Sequence, residues 1–154
     1  MTAVAIRPDT PANADVQALL RRHFELMRSQ SPAESCHVME PEALLERDAV
    51  LFSARDGDTV LGVGALTVIA PGHGELKSMH TAAEARGRGV GRAVLEALIA
   101  EARARGLTRL SLETGSAEAF APARALYAAH GFADCPPFGD YVLDPLSVFM
   151  TRTV

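Results

Sequence analysis

The sequence predicts an α/β fold, a three-layer α/β/α sandwich in which helices cover both faces of one mixed and mostly antiparallel β-sheet. Three observations support this fold class. Apolar patterns typical of strands and helices follow one another in the order β, α, α, β, β, β, α, β, α, β. Two neighbouring strand patterns are joined by a short turn, as antiparallel strands are, and two others by a helix, as parallel strands are. This order stacks helices as layers on a single sheet.

The first three predicted elements are one strand and two helices. Residues Ala3–Arg7 are short, apolar and followed by proline, which is typical of a strand. Between Asn13 and Met27 the apolar residues recur at the i, i+3, i+4 spacing of an amphipathic helix. Pro41 begins a shorter helix that reaches Arg47, since proline at the first helical position loses no needed hydrogen bond.

Three strands are predicted next. Residues Ala49–Ala54 and Val60–Ile69 are rich in Val, Leu, Ile and Thr, and the intervening Arg55–Asp58 has the composition of a hairpin turn. We therefore expect these two strands to pair antiparallel. Residues Glu75–Thr81 alternate apolar and polar side chains imperfectly and lead directly into a glycine-rich segment, which predicts a strand that feeds a loop.

The remaining elements include a strand, helix, strand unit. Val90–Arg105 has one continuous apolar face and helix-favouring residues elsewhere, and Gly106 ends it. Thr108–Glu113 alternates leucines with polar residues and is predicted to be a strand. Ala119–His130 is predicted to be another helix, and Ser147–Thr153 the final strand.

Length and composition favour one compact domain over residues 1–154. The chain is 48% hydrophobic and 22% charged, as globular proteins are, and its formal charge of -4 disfavours nucleic-acid and anionic-membrane partners. Its N-terminus lacks the apolar core of a signal peptide, and no run approaches the roughly 18 apolar residues of a membrane span. We therefore expect a cytoplasmic enzyme or binding module.

Metal binding is not expected from the cysteine pattern. Cys36 and Cys135 are the only cysteines, lie far apart, and show neither a CxxC nor a Cys/His ligand spacing. Neither a disulfide framework nor a zinc site is predicted.

A glycine- and arginine-rich segment lies between a predicted strand and the start of a predicted helix. Several backbone N–H groups have no intrahelical partner there, and the helix dipole adds about half a positive charge. Glycines allow an anion to approach the backbone closely, and arginines attract it. The segment is therefore predicted to bind phosphate or pyrophosphate. It consists of Arg86, Gly87, Arg88, Gly89, Val90, Gly91 and Arg92.

The spacing of this segment narrows the choice of phosphate ligand. A P-loop needs Gly-Lys followed by Ser or Thr, which is absent here. The glycines at 87, 89 and 91 also fail the GxGxxG fingerprint of dinucleotide binding. A flexible, solvated basic turn without a ligand is the alternative that position and glycine spacing leave open.

Two motifs resemble the signatures of the GNAT superfamily of acetyltransferases. Arg86-x-x-Gly89-x-Gly91, at a strand-to-helix junction, is similar to that family's acyl-CoA motif. The segment 125–132, with Leu-Tyr three residues before Gly-Phe, resembles its second signature. Both occur in the family's order and are separated by the expected helix and strand.

Further blocks resemble a subgroup of small bacterial GNAT proteins, so that the resemblance spans about residues 34 to 150. The sequence departs from the superfamily at Phe120, where many members have Asn, and at Ala83, where Pro often follows the strand. The blocks are Glu34-Ser35-Cys36-His37, Gly74-Glu75-Leu76-Lys77-Ser78-Met79, Leu112-Glu113-Thr114-Gly115, Pro137-Phe138-Gly139-Asp140-Tyr141 and 144–150.

The resemblance implies a fold, a cosubstrate and a reaction. It implies the GNAT fold and N-acetyl transfer from acetyl-CoA to a primary amine of a small molecule, by direct attack in a ternary complex. The backbone of Met79 and Thr81 would pair with the pantetheine arm, and segment 86–92 would hold the pyrophosphate. Among relatives, many pair through the C-terminal strands, so a homodimer is one oligomeric state to consider.

The resemblance also implies catalytic and acceptor-site residues. Tyr127 would donate a proton to the departing CoA thiolate, because a phenol of reference pKa about 10 can serve a thiolate whose thiol has a pKa near 8.5 when it is suitably placed. Glu75 would be the general base, and Glu113 is the competing carboxylate. We expect the acceptor side to include His37, Glu40 and Tyr141.

Two other functions are compatible with the motifs. A non-catalytic module could bind acyl-CoA as a sensor, and it would show affinity without release of thiol. The Arg-Gly run could instead contact nucleic acid, although the acidic net charge and the lack of interleaved aromatic residues disfavour this.

Overall fold

The computed structural model describes residues 4–32, 37–47 and 49–154, so the predictions that fall on Ala3 and on Glu34, Ser35 and Cys36 lie outside the described residues. The described strands form one seven-stranded sheet of order β1-β2-β3-β4-β5-β7-β6. The strands are β1 Ala5–Asp9, β2 Val50–Asp56, β3 Thr59–Ala70, β4 His73–Thr81, β5 Arg109–Gly115, β6 Ala133–Asp134 and β7 Ser147–Thr153.

Four α-helices and two short 3₁₀ helices accompany the sheet in the described part of the chain. Helix α3 begins at Val90, within the glycine-rich segment, and α4 follows a 3₁₀ turn. The helices are α1 Ala14–Gln30, α2 Pro41–Glu46, α3 Val90–Ala104 and α4 Ala121–Ala129, and the 3₁₀ helices are Ala83–Ala85 and Glu118–Phe120.

The sheet is mixed and mostly antiparallel, as the sequence predicted. Strands β2 and β3 form the expected hairpin, and β4 and β5, which α3 connects, are the parallel pair among the described strands. The other neighbouring strands pair antiparallel.

Helices α1 and α3 cover opposite faces of the sheet. A Cβ at Gly62 would lie 2.5 Å from Val90 Cγ1, so this glycine lets α3 approach β3 closely. The next residue, Val63, pairs with His80, whose ring contacts His23 of α1. Because successive residues of a strand point to opposite faces, the two helices form two outer layers. The predicted three-layer α/β/α arrangement is confirmed.

Several predicted boundaries were wrong by a few residues, and one strand was missed. The first strand continues through Pro8 to Asp9, because β1 is an edge strand and proline removes no hydrogen bond needed by an inner neighbour. The last helix begins at Ala121 instead of Ala119, since a 3₁₀ turn precedes it. The missed strand, Ala133–Asp134, is too short to show an alternating pattern.

A β-bulge explains the imperfect alternation of β4. Val63 pairs with His80 and Ala65 with Lys77, so β4 contains one extra residue at this point. Ser78 has φ of 57° there and is the non-glycine with positive φ among the described residues. After Lys77, the extra residue therefore shifts by one position the alternation of side chains between the two faces of the sheet.

Strands β4 and β5 pair only at their beginnings. Their parallel register includes His73, Gly74 and Glu75 of β4 and ends at the pair Glu75 and Ser111. Beyond this pair β4 continues to Thr81 and β5 to Gly115 without pairing to each other. The sheet is therefore open between the two strands, and this opening positions the candidate site.

Candidate active site

A cleft of about 840 Å³ lies where β4 and β5 separate. Its lining comes from α1, β4, the glycine-rich segment, the ends of α3 and α4, and β5. At one end, which we call the glycine-loop end, the lining includes Arg86, Gly87, Gly89, Gly91 and Arg92. At the other, which we call the carboxylate end, it includes His37, Glu75, Lys77 and Glu113.

The glycine-loop end presents backbone groups of one short segment. Gly87 and Gly89 have φ of 80° and 74°, the left-handed conformation that residues with a Cβ adopt only at a cost. Gly89 is the N-cap of α3, and no side chain caps this helix start. The first N–H groups of α3 thus remain available to an acceptor, in the positive field of the helix dipole.

The three arginines of the segment do not share one direction. Arg86 and Arg92 line the cleft, and Arg92 Nε also lies 3.1 Å from Glu96 Oε2. Arg88 is absent from the lining, and its Nη2 lies 3.3 Å from Asp56 Oδ2 at the end of β2. The side chains of Arg86 and Arg92 are therefore the ones placed to attract an anion into the cleft.

Strand β4 supplies the wall that joins the two ends. Met79 and Thr81, whose backbone the family resemblance implies would pair with the pantetheine arm, both line the cleft beyond the last pair with β5. A strand edge that ends its pairing in this way presents backbone N–H and C=O groups to an extended ligand.

Tyr127 lies on α4 and lines the cleft. Its side chain is buried, with a ring-centroid distance of 5.9 Å to Phe132. Burial raises the pKa of Tyr127 well above its usual value, and the nearby Glu113 adds to this effect. The phenol therefore stays protonated at neutral pH, as a proton donor must before it reacts.

The two predicted carboxylates have different surroundings. Burial raises the pKa of Glu113 to about 7, even though Ser147 Oγ donates a hydrogen bond of 2.9 Å to its Oε2 and Lys77 favours its charged form. Glu75 Oε2 accepts a hydrogen bond of 2.5 Å from the Tyr141 hydroxyl and lies 3.6 Å from Lys77 Nζ. Both carboxylates line the cleft.

The predicted acceptor-side residues divide into two groups. His37 lines the cleft, and Tyr141 packs against it with ring centroids 5.1 Å apart. Tyr141 does not line the cleft itself but contacts Glu75, which does. Glu40 is exposed at the N-cap of α2 and is absent from the lining, so the structure does not bring it to the site.

The sequence assigned no role to three residues that line the cleft, which are Lys77, His23 and His80. The Nδ1 atoms of His23 and His80 lie 3.1 Å apart, and burial lowers the two pKa values to about 3 and about 4, so both rings are neutral at pH 7. His23 follows Leu19 by four residues, which places it on the buried face of α1. The helical spacing from Leu19 could therefore have predicted from the sequence that His23 is buried.

Metal and membrane features are absent from the described part of the chain. Over residues 4–32, 37–47 and 49–154, no group of three or more His, Cys, Asp or Glu side chains is placed to hold a metal ion. Within these same ranges, no helix has the length and apolar character needed to cross a membrane.

Residues 14–132 match the model of the Acetyltransferase (GNAT) family. The chain belongs to this family. Among curated relatives, it is 45% identical over 147 residues to the uncharacterized N-acetyltransferase YsnE of Bacillus subtilis (strain 168), a match that covers 96% of this chain and 97% of the relative. It is 42% identical over 149 residues to the uncharacterized N-acetyltransferase YedL of Escherichia coli (strain K12), with 97% and 94% covered. An IAA acetyltransferase of Azospirillum brasilense is 40% identical, with 99% of both chains covered.

Solved structures agree with the family assignment. A protein from Klebsiella pneumoniae assigned as an acyl-CoA N-acyltransferase has a TM-score of 0.78 and 28% identity, with 97% of each chain covered. A ribosomal-protein-alanine N-acetyltransferase from Brucella melitensis has a TM-score of 0.70 and 25% identity, with 97% of this chain and 99% of that one covered. The protein is therefore an acyltransferase of the GNAT family with the acyl-CoA N-acyltransferase fold, which uses a CoA-based cosubstrate and an acceptor.

Proposed function

We propose that this GNAT protein transfers the acetyl group of acetyl-CoA to a primary amine of a small molecule, by direct attack in a ternary complex. One observation carries the proposal: a single cleft has uncapped helix N–H groups at one end and two carboxylates at the other, the buried Glu75 and the half-buried Glu113, with the Tyr127 phenol in its lining. A phosphate-bearing donor and an amine acceptor can thus enter from opposite ends.

The glycine-loop end fits the pyrophosphate of acetyl-CoA. Backbone N–H groups around Gly89 and the start of α3 would bind the phosphate oxygens, and Arg86 and Arg92 would add attraction. The free edge of β4 at Met79 and Thr81 would pair with the pantetheine arm as an added strand. This arrangement directs the thioester toward the carboxylate end.

Proton removal from the acceptor ammonium falls to one of the two carboxylates. The sequence favoured Glu75, and we now favour Glu113, because a pKa of about 7 lets it exist as a carboxylate and accept a proton near neutral pH. Glu75 Oε2 already accepts the Tyr141 hydrogen bond and lies near Lys77. Glu75 would then help to bind and orient the acceptor.

Tyr127 would donate the proton that the CoA thiolate needs when the tetrahedral intermediate collapses. Its position in the cleft wall and its protonated state support this role. The ammonium loses one proton to Glu113, and the free amine adds to the thioester carbonyl to form the C–N bond. The C–S bond then breaks as the tetrahedral intermediate collapses, and the Tyr127 proton completes the CoA thiol. The nitrogen loses its second proton as the amide forms, and this proton balances the one that Tyr127 gives up.

An array of primary amines, assayed for acetyl-dependent release of CoA, tests the proposed function. We expect at least one amine to be acetylated, and Tyr127→Phe to lose about 10²- to 10⁴-fold in kcat while it still binds CoA. A sensor module would instead bind acetyl-CoA and release no CoA thiol with any amine. Full activity of Tyr127→Phe would remove Tyr127 as the acid.

Domain organisation, cellular location and acceptor size are further parts of the proposal. We propose that residues 1–154 form one catalytic domain that works in the cytoplasm with a small-molecule acceptor, since the net charge of -4 disfavours nucleic acid and anionic membranes. The carboxylate end favours a small acceptor, because the side chains of Glu75 and Lys77 are only 8% and 11% exposed. Whether the protein is a homodimer is testable by light scattering.

A further inference from the structure

Lys77 is a largely buried cation at the carboxylate end, and neither the motifs nor the proposed reaction gives it a role. Its Nζ lies 3.2 Å from the His37 carbonyl oxygen, 3.0 Å from the Tyr141 hydroxyl oxygen and 3.6 Å from Glu75 Oε2. Its side chain is 11% exposed. Burying an ammonium group is costly unless acceptors surround it, and here three acceptors do.

The three acceptors come from three separate parts of the chain. His37 precedes α2, Glu75 lies on β4 itself, and Tyr141 lies in the loop that precedes β7. The Tyr141 hydroxyl accepts from Lys77 and donates to Glu75, so one phenol links the cation to the carboxylate. Lys77 therefore ties two loops to the strand that forms the cleft wall.

The Tyr141 ring is fixed independently of its hydroxyl. Its centroid lies 5.1 Å from the rings of His37 and Phe138 and 5.4 Å from that of Phe149. Aromatic contacts of this kind hold a ring in one orientation. The hydroxyl can thus be removed by mutation to Phe without loss of the surrounding packing.

Lys77 is not itself placed to react. An ammonium group has three N–H donors and no acceptor, and three acceptor atoms already surround this one. Two of these donors form hydrogen bonds to the His37 carbonyl and the Tyr141 hydroxyl, and the charge is paired with Glu75 at 3.6 Å. Its contribution must therefore pass through the groups that it holds.

We propose that Lys77 is a positioning residue that assembles the acceptor-binding end of the cleft. It joins the loop at His37 to the loop at Tyr141 and fixes Glu75 as an orienting carboxylate, which leaves Glu113 to accept the ammonium proton. This proposal rests on the proposed function, since it assigns an acceptor to the carboxylate end.

Kinetics of Lys77→Met, Lys77→Arg and Tyr141→Phe, together with CoA affinity, test this proposal. We expect Lys77→Met to raise the KM for the acceptor about tenfold or more and to leave CoA affinity within about twofold, because the glycine-loop end does not depend on Lys77. Lys77→Arg should restore part of the loss. Tyr141→Phe should show a smaller change of the same kind.

The pH dependence of kcat/KM in the Lys77 variants distinguishes a positioning role of Lys77 from a general structural one. Lys77 favours the charged form of Glu113, whereas Glu75 and Asp144 oppose it and Ser147 stabilises it by a hydrogen bond. Loss of Lys77 should therefore shift the acidic limb of kcat/KM to higher pH in Lys77→Met, but not in Lys77→Arg. A profile and acceptor KM unchanged in Lys77→Met would overturn the proposal.

A readout that needs no acceptor keeps this test separate from that of the proposed function. Hydrogen exchange should rise in Lys77→Met at both residues 37–47 and 136–147, while residues 86–104 keep their protection. Arg105→Met, which removes an exposed cation paired with Glu101, is the matched control and should change neither segment. If no amine is acetylated, the proposed function fails; if both loops stay protected in Lys77→Met, the Lys77 proposal fails.

Discussion

The two ends of the cleft differ in the kind of chemical group that lines them. The glycine-loop end consists of backbone groups and two arginines from one contiguous segment, residues 86–92. The carboxylate end consists of side chains from distant positions, which hydrogen bonds and an ion pair hold together, in part through Tyr141 outside the cleft. These side chains are His37, Glu75, Lys77 and Glu113. Backbone recognition tolerates side-chain change but requires a particular chain conformation, whereas the side-chain network depends on each member.

This difference suits the two ends to different tasks in binding. A helix N-terminus binds phosphate irrespective of the remainder of a ligand, so the glycine-loop end suits a cosubstrate that many related enzymes share. Buried side chains discriminate through unpaired polar groups and charges, so the carboxylate end suits acceptor selection. Mutations at the two ends should therefore affect different kinetic constants.

The largest effect at the carboxylate end is expected for Glu113→Gln. Loss of the general base should lower kcat/KM about 10²-fold at pH 8 and abolish the rise in activity that we expect of the wild type as pH increases through about 7. Glu75→Gln should keep this rise. A retained limb in Glu113→Gln, measured in rate profiles from pH 5 to 9, would return the base to Glu75.

The same Glu113 substitution should stabilise the fold at alkaline pH. The folded-state pKa of about 7 exceeds the ordinary value of 4.5, so the folded wild type binds its proton more tightly and loses stability as pH rises from 4.5 through 7. Gln has no proton to lose. Thermal unfolding at pH 8 should therefore show a higher Tm for Glu113→Gln than for the wild type, with no such gain at pH 4.

At the glycine-loop end, Gly89→Ala should weaken CoA binding about tenfold. A Cβ at residue 89 has open space around it, but the left-handed φ of 74° costs a non-glycine about 1–2 kcal/mol, so the segment should leave its anion-binding conformation. Calorimetry with CoA measures the loss. The acceptor KM should change little, and equal loss in both constants would break the comparison between the ends.

Substitution of Arg86 or Arg88 should reduce CoA affinity by less than Gly89→Ala does. Arg86→Ala removes a cation from the cleft lining and should weaken CoA binding about two- to fivefold at low salt, which is the size of an exposed ion pair. Arg88→Ala should have less effect, because that side chain is directed to Asp56. Titrations at two salt concentrations would show this, and an equal salt-dependent loss in both variants would contradict it.

The smallest effect is expected for Ser78→Gly in the β4 bulge. Glycine adopts the left-handed φ of 57° without the cost to a residue with Cβ, although it also gives the unfolded chain more freedom. The net result should be stabilisation of about 0.5–1 kcal/mol in urea unfolding. A destabilised variant would show that the Ser78 side chain supports the bulge.

Much of the fold was predictable because its signals are local. The hairpin of β2 and β3 follows from β-branched residues around an Asp-Gly turn, and α3 follows from a single apolar face that ends at Gly106. The conformation of the glycine-rich segment was also predictable, since its glycines at 87 and 89 adopt the positive φ for which glycine is suited. By contrast, the bulge at Ser78 has no local signal, because serine is not a residue that favours positive φ.

The candidate site divides in the same way. The sequence by itself determined the family and the glycine-loop end, because a contiguous backbone segment at a helix start has its conformation specified by neighbouring residues. The tertiary structure alone placed Glu40 outside the cleft, turned Arg88 away from it, and brought Lys77 to Tyr141 across 64 positions of the chain. Such contacts depend on strand register and loop path, which residues far apart in sequence decide together.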